Sequence, residues 1–173
     1  MKTLLLFCCI STLAAGAQTL ATVSFNAVVL QTTEAQKSLA SLQTKLAPRQ
    51  DHLKTLSNEV DTLRKQLASN GGLNDAERTS RERSLESSER QLQREADDFK
   101  ADTQTESEQI FQRVAQKVYA FLQTYSQQHG YTLVIERGSD TNPVVWYAAA
   151  NTDITDAVLK AYNLQARDEA PSK

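Results

Sequence analysis

Between Thr33 and Ser69 apolar residues recur every seven positions. Leu39, Leu46, Leu53, Val60 and Leu67 form one series, and Leu42, Leu56 and Leu63 occupy the intervening positions. A heptad pattern sustained over about four repeats describes a seam that only a long helix packed along another helix can bury. At 1.5 Å per residue the stretch makes a rod of roughly 55 Å. A chain of 173 residues forms one domain, too narrow to enclose such a rod, so the helix must project. Only Arg49 interrupts the second series. Pro48 beside it removes one helical hydrogen bond and crowds the preceding turn, which predicts a kink or hinge there.

The partner helix follows directly. Asn70-Gly71-Gly72 supplies residues that tolerate positive φ and turn the chain, so the tip is expected at residues 70–73. Capping-box spacing opens both arms, Thr33 with Gln36 on the first and Asn74 with Glu77 on the return. On the return arm Leu85, Leu92 and Phe99 repeat at seven, with Ala96, Thr103 and Ile110 between them, but Ala76 to Arg83 contains no large apolar residue. The tip should therefore be looser than the root. Ile110, Val114, Val118, Phe121, Leu122 and Tyr125 then advance by three or four as a full apolar face that stops at Gly130. The hairpin spans residues 33–129.

Aromatic residues divide the chain the same way. None lies between Ala27 and Asp98, whereas Phe25 and the stretch from Phe99 to Tyr162 carry them. Rings bring the largest burial per residue, so the core belongs at the base of the hairpin. Leu20 to Phe25 alternates as a strand with Val23 and Phe25 on one face, Asn26 caps one turn from Ala27 to Leu30, and these complete a first body segment at residues 18–32. A second body segment, residues 130–163, holds a strand from Tyr131 to Glu136, a loop from Gly138 to Pro143 and a third strand from Val144 to Ala148. It ends with a helix from Asp156 to Tyr162 capped by Asp153 or Thr155, and residues 164–173 read as a polar tail. The expected class is α+β: a long antiparallel helical hairpin on a small antiparallel β body. Three strands leave open edges, which identical copies would close by sharing the base. Val23, Phe25, Val145, Trp146 and Tyr147 are the candidates for that shared surface.

Residues 1–17 have a different character. Lys2, an apolar run from Leu4 to Leu13 and the small exit Ala15-Gly16-Ala17 have the layout of a secretory signal peptide, with cleavage expected between Ala17 and Gln18. The run is shorter than the roughly 20 residues a membrane span needs, and an uncleaved anchor is the rival reading. Cys8 and Cys9 would leave with the leader, so the exported chain would rely on helix packing or oligomerisation rather than on disulfides.

No catalytic, cofactor-binding or metal-binding set is expected. His52 and His129 stand far apart, Asp97, Asp98, Glu106 and Glu108 have no His or Cys beside them, and Gly71-Gly72 lacks the Gly-Lys-Ser/Thr ending of a phosphate loop. A net charge of −2 gives no reason to expect nucleic acid. From Arg49 to Glu95 nine basic residues balance nine acidic ones, the pattern of solvated helix faces with i,i+4 pairs. Around the tip Arg64, Lys65, Arg78, Arg81 and Arg83 outnumber Asp75, Glu77 and Glu82, so a weakly basic tip for acidic lipid or chain is the sharper alternative.

The two ends resemble the periplasmic chaperone family called Skp or OmpH-like. Ala21-Thr22-Val23-Ser24-Phe25-Asn26, Val28-Val29-Leu30 and Glu34-Ala35-Gln36-Lys37 are similar to its opening. Val145-Trp146-Tyr147-Ala148, Asp153-Ile154-Thr155 and Asp156-Ala157-Val158-Leu159-Lys160 are similar to its close. The resemblance implies a periplasmic homotrimer in which strands from three copies build the body and three hairpins hang from it as tentacles around a cavity. It further implies that unfolded outer-membrane proteins are held there without ATP. Well-known members are basic, whereas this chain has a pI near 5.7, so lipopolysaccharide or membrane contact does not carry over with the resemblance.

A holdase needs many weak, reversible contacts and arms that can spread. The imperfect return seam, the Pro48 hinge and the Gly71-Gly72 tip fit that need, and Leu63, Leu67, Leu73 and Leu85 are the candidate client contacts, with arm-to-arm packing as the plain alternative. The competing function is an exported coiled-coil spacer or adaptor of the cell envelope with no chaperone activity.

Overall fold

The computed structural model describes residues 19–69, 72, 74–139 and 141–168. The expected cleavage site at Ala17 and Gln18, the tip residues Asn70 and Gly71, and Leu73 lie outside them. The order of elements is β1 (Leu20–Val23), α1 (Phe25–Gln31), α2 (Thr33–Ala68), α3 (Asp75–Gln128), β2 (Leu133–Glu136), β3 (Gly138–Ser139), β4 (Asn142–Pro143), a 3₁₀ turn (Ala150–Thr152) and α4 (Thr155–Asp168).

The two long helices form the expected hairpin. Asn74 accepts a hydrogen bond from the Glu77 N–H while the Glu77 carboxylate accepts one from the Asn74 N–H, so the return arm opens on a complete capping box. On the first arm the cap is one residue earlier than predicted. Thr32, fully buried, accepts from the Ala35 N–H at 3.1 Å and donates to the Val29 carbonyl at 2.9 Å, which joins the end of α1 to the start of α2. The first arm runs through Pro48 as one unbroken helix. Leu42, Leu56 and Val60 are its buried seam residues.

The base differs from the sequence reading in several places, among them that the second strand begins at Leu133 rather than Tyr131 and that the expected loop from Gly138 to Pro143 holds the short pair β3–β4. Four others are larger. First, the main sheet is parallel: β1 pairs with β2 from Leu20 opposite Leu133 to Val23 opposite Glu136. The whole hairpin is the crossover between them, long enough to bring the second strand back in the same direction, and only the short β3–β4 pair is antiparallel. Second, Phe25 is in a helix and not in the strand. The Ser24 N–H turns to the Thr155 hydroxyl at 2.9 Å and the Phe25 N–H to the Glu136 carboxylate at 2.8 Å, so the chain leaves the sheet at Ser24 and starts α1, which Asn26 does not cap. Third, Val144 to Ala148 is not a strand within this chain. The N–H groups of Val144 and Val145 both donate to the Arg137 carbonyl, closing the β3–β4 turn, and the segment then runs on without a ladder. Fourth, residues expected to open the polar tail continue the last helix as far as Asp168.

The core sits where the aromatics placed it. Ala21, Val23, Val28, Val29, Ala35, Val114, Val118, Tyr125, Ile154, Val158 and Tyr162 form one buried cluster drawn from β1, α1, the roots of both arms and α4. Phe121 packs edge-on against Tyr162 at 5.4 Å between ring centres and lies 5.8 Å from Tyr125. Such ring pairs contribute about 1 kcal/mol each beyond their burial. The arms are spokes projecting from this cluster.

Candidate functional site

Three features of the structure bear on function: an exposed aromatic segment at the base, the junction that holds it, and the polar length of the arms. The exposed segment follows β4. Val144 is 62 % exposed, Trp146 89 % and Tyr147 88 %, with Val145 half-buried between them. Side chains of this size are rarely left in water without a use, because each forfeits about 1.5–3 kcal/mol of burial. Gly138 fixes where the segment starts. Its φ is +78°, and a Cβ there would stand 2.5 Å from the Asn142 carbonyl oxygen and 2.6 Å from the Val144 nitrogen, so only glycine allows the turn to close.

Just before that turn, β2 forms one wall of an apolar groove of about 540 Å³. Val23, Phe25, Tyr119, Leu122, Tyr131 and Leu133 line it. Tyr119 and Leu133 are among the exposed large apolar residues of the chain. Of the five predicted shared-surface residues, Val23 and Phe25 therefore border the groove, Val23 itself being buried in the core, while Val145, Trp146 and Tyr147 lie on the segment beyond it.

The Asp153-Ile154-Thr155 stretch is the junction between these parts. Asp153 accepts from both the N–H and the hydroxyl of Thr155, at 2.9 and 2.6 Å, and pairs with Arg137 at the end of β2. The Ile154 N–H reaches the Thr22 carbonyl of β1 at 2.9 Å and its side chain enters the core. Burial, the largest single influence, would push the Asp153 carboxyl up, but the Thr155 hydrogen bonds and the Arg137 guanidinium together outweigh it and hold the carboxyl below its usual value. Sequence reasoning offered Asp153 or Thr155 as alternative caps; the structure uses Asp153, which takes the Thr155 N–H, while the Thr155 hydroxyl accepts from Ser24 instead. Near the C-terminal end of α3, burial first and the neighbouring Tyr131 second raise the Tyr125 phenol above its usual value. The His129 ring stacks on Tyr125 at 3.9 Å.

Along the arms, Leu63, Leu67 and Leu85 are half-buried, Pro48 lies on an exposed part of α2, and Gly72 takes a left-handed φ of +74° at the tip. No residue from Asp75 to Gln109 is buried. What spans the gap is mostly charge. Lys45 grips both oxygens of Glu106 at 2.7 and 2.8 Å, Arg49 meets Asp102 at 2.5 Å, His52 faces Glu95 at 3.0 Å, and Arg64 reaches Glu89 at 2.7 Å. At the root, Glu34 takes Lys117 at 2.6 Å and the Tyr162 hydroxyl at 3.2 Å, which ties both arms to α4. Arg49, which breaks the leucine series, thus fills its place with an ion pair and with the face of Phe99, 5.8 Å away. The sequence reading expected i,i+4 pairs and missed these cross-arm ones. Folding the charge pattern back about a point near residue 75, a few residues past the Asn70-Gly71-Gly72 turn, would have revealed them.

Among the described residues no cluster of His, Cys, Asp and Glu could hold a metal ion, and no helix is long and apolar enough to cross a membrane. A comparison with curated proteins found no match. Among solved structures the fold is similar to that of a candidate outer membrane chaperone (OmpH-like) from Caulobacter crescentus CB15, with a TM-score of 0.65 and 19% identity, over 85% of each chain. A family model for OmpH-like outer membrane proteins matches residues 19–162. The match to the OmpH-like family supports a chaperone role. From the capped helical hairpin, the Asp153-Ile154-Thr155 junction and that match over most of its length, this chain belongs to the OmpH-like family.

Proposed function

We propose that the protein is an ATP-independent periplasmic holdase that works as a homotrimer and keeps unfolded outer-membrane proteins from aggregating between its helical arms. The observation that carries this reading is the contrast between base and arms: Trp146 and Tyr147 stand exposed at the base, whereas the return arm buries nothing from Asp75 to Gln109. An exposed segment of strand composition fits pairing with a neighbouring copy, because β-branched and aromatic residues gain from a strand beside them. Arms with half-buried leucines and little apolar packing fit loose contact with a chain of no fixed shape, since tight complementarity would select one client form. Leu63, Leu67 and Leu85, with Leu73 at the tip, are the proposed client contacts; Pro48 is the proposed hinge and Gly71-Gly72 the proposed pivot of the tip. Export to the periplasm rests on the leader at residues 1–17.

The test is light scattering of a denatured β-barrel protein diluted into buffer with and without this protein. Suppression complete near one trimer per client supports the reading, and undiminished scattering refutes it. A spacer or adaptor function is favoured by one observation, the row of cross-arm ion pairs that stiffens the hairpin, and it predicts that undiminished scattering. Sedimentation provides the second arm, since a chain that stays monomeric at micromolar concentration removes the shared base.

A further inference from the structure

We infer that the middle of the hairpin is an ionic clasp, closed at low salt and loosened by high salt, which then uncovers the leucine seam beneath it. The inference concerns the unloaded protein and stands whether or not the arms hold a client.

Three observations carry it. The permanent pairs Lys45–Glu106, Arg49–Asp102 and Arg64–Glu89 all bridge the two arms, and in each the cation is on α2 and the anion on α3. Apolar packing is thin over the same length, because α2 buries only Leu42, Leu56 and Val60 there and α3 buries nothing before Ile110. Beneath the pairs lie Leu46, Leu53, Leu92 and Phe99, all half-buried. Both ends of the hairpin are held, by the chain turn at the tip and by the body at the root, so loosening takes the form of the two helices bowing apart between them.

Salt acts on this arrangement with one sign. The screening length falls from about 10 Å at 0.1 M salt to about 3 Å at 1 M, so exposed pairs weaken together. A seam held by leucines alone would keep its strength or tighten as salt rises. Three exposed pairs, each a few tenths of a kcal/mol by general experience, multiply to about a tenfold change in the fraction open.

Hydrogen exchange on the full exported protein at 20 and 500 mM sodium chloride tests this. Backbone amides between Glu86 and Glu106 should exchange about tenfold faster at the higher salt, while those between Val114 and Tyr125, in the core, stay protected. The triple variant Lys45→Met, Arg49→Met, Arg64→Met should exchange fast at both salts. Adding charge reversal to both sides of the clasp (K45E, R49E, R64E with E106K, D102K, E89K) should restore protection and the salt response. Equal exchange of the parent at both salts overturns the inference, as does a salt response in the triple Met variant as large as the parent's. So does a reversed chain whose core amides are protected while its arms are not. The core amides report folding in every variant, so a misfolded variant is recognised as such and replaced by the single-pair swap Arg64→Glu with Glu89→Arg, which is held to the same criteria.

Discussion

Replacing Thr155 by valine removes one hydroxyl and keeps the shape, which isolates what the junction contributes. In the native chain that oxygen accepts from the Ser24 N–H at 2.9 Å and donates to the Asp153 carboxylate at 2.6 Å. Valine can do neither. The Ser24 N–H loses its partner at the point where β1 gives way to α1, and a half-buried donor left unpaired costs about 1–3 kcal/mol. The bond to the carboxylate is charge-assisted and contributes about 1.5–3 kcal/mol where fully buried, less in this partly exposed setting. Taken together the loss should be about 2–4 kcal/mol. For a chain of this size that corresponds to a fall of about 5–15 °C in the melting temperature. The assay is thermal unfolding followed by circular dichroism, with Thr155→Ser as the control that keeps both bonds and should melt within about 3 °C of the parent. If Thr155→Val also melts that close to the parent, the junction does not hold the base together and the structural reading of Asp153-Ile154-Thr155 is wrong.

Acid should attack the same junction from the other side. The Asp153 carboxyl titrates lower in the folded chain than in the unfolded one, so its stabilising effect is complete above the unfolded value of about 3.9 and is lost as pH falls through the lower native value; Asp153→Asn should be less stable at neutral pH and show a flatter acid limb in a urea-melt series. Gly138→Ala combines a positive φ with Cβ contacts of 2.5 and 2.6 Å to backbone atoms. It should cost about 2 kcal/mol or more and displace the Val144–Tyr147 segment, so sedimentation should show the proposed self-association weakened. Trp146 is the chain's only tryptophan and is 89 % exposed in the single chain, so under the proposed shared base its emission should shift to the blue as protein concentration rises; an unshifted spectrum where sedimentation reports association places it outside the shared surface. Pro48→Ala restores the missing donor to the Thr44 carbonyl in the middle of α2, with up to about 3 kcal/mol of helix stabilisation. Slower exchange of the amides around Thr44 is the expected result, and unchanged exchange argues against the hinge proposed at this site.

What the sequence made legible divides along a physical line. Leu39 through Leu67, the Asn74–Glu77 box and Gly130 are local signals, in which period, cap and stop are set by neighbours a few residues away, and the hairpin emerged from them intact. The direction of the main sheet was not local: Leu20 to Val23 pairs with Leu133 to Glu136 across the entire hairpin, and nothing in two short apolar runs records whether they meet parallel or antiparallel. Phe25 and Val144 to Ala148 failed for a related reason. Their β propensity was read correctly, but propensity describes a fit to a strand beside them. For Phe25 the competing partners were Glu136 and, through Ser24, Thr155, both distant in sequence. For Val144 to Ala148 no strand stands alongside among the described residues. The cross-arm pairs were hidden by the habit of scoring charges on one helix at a time, where Lys45 and Glu106 look like two solvated side chains. Both kinds of error point the same way. The residues that sequence patterns placed in a polar face without a purpose are the ones whose pairing is completed by another helix, and for Val144 to Ala148 a neighbouring copy is the proposed partner. Those are the surfaces on which self-association and client holding are proposed to depend, so a perturbation that leaves the local signals intact but removes a distant partner, as Thr155→Val does for Ser24, should separate folding of the arms from the proposed function.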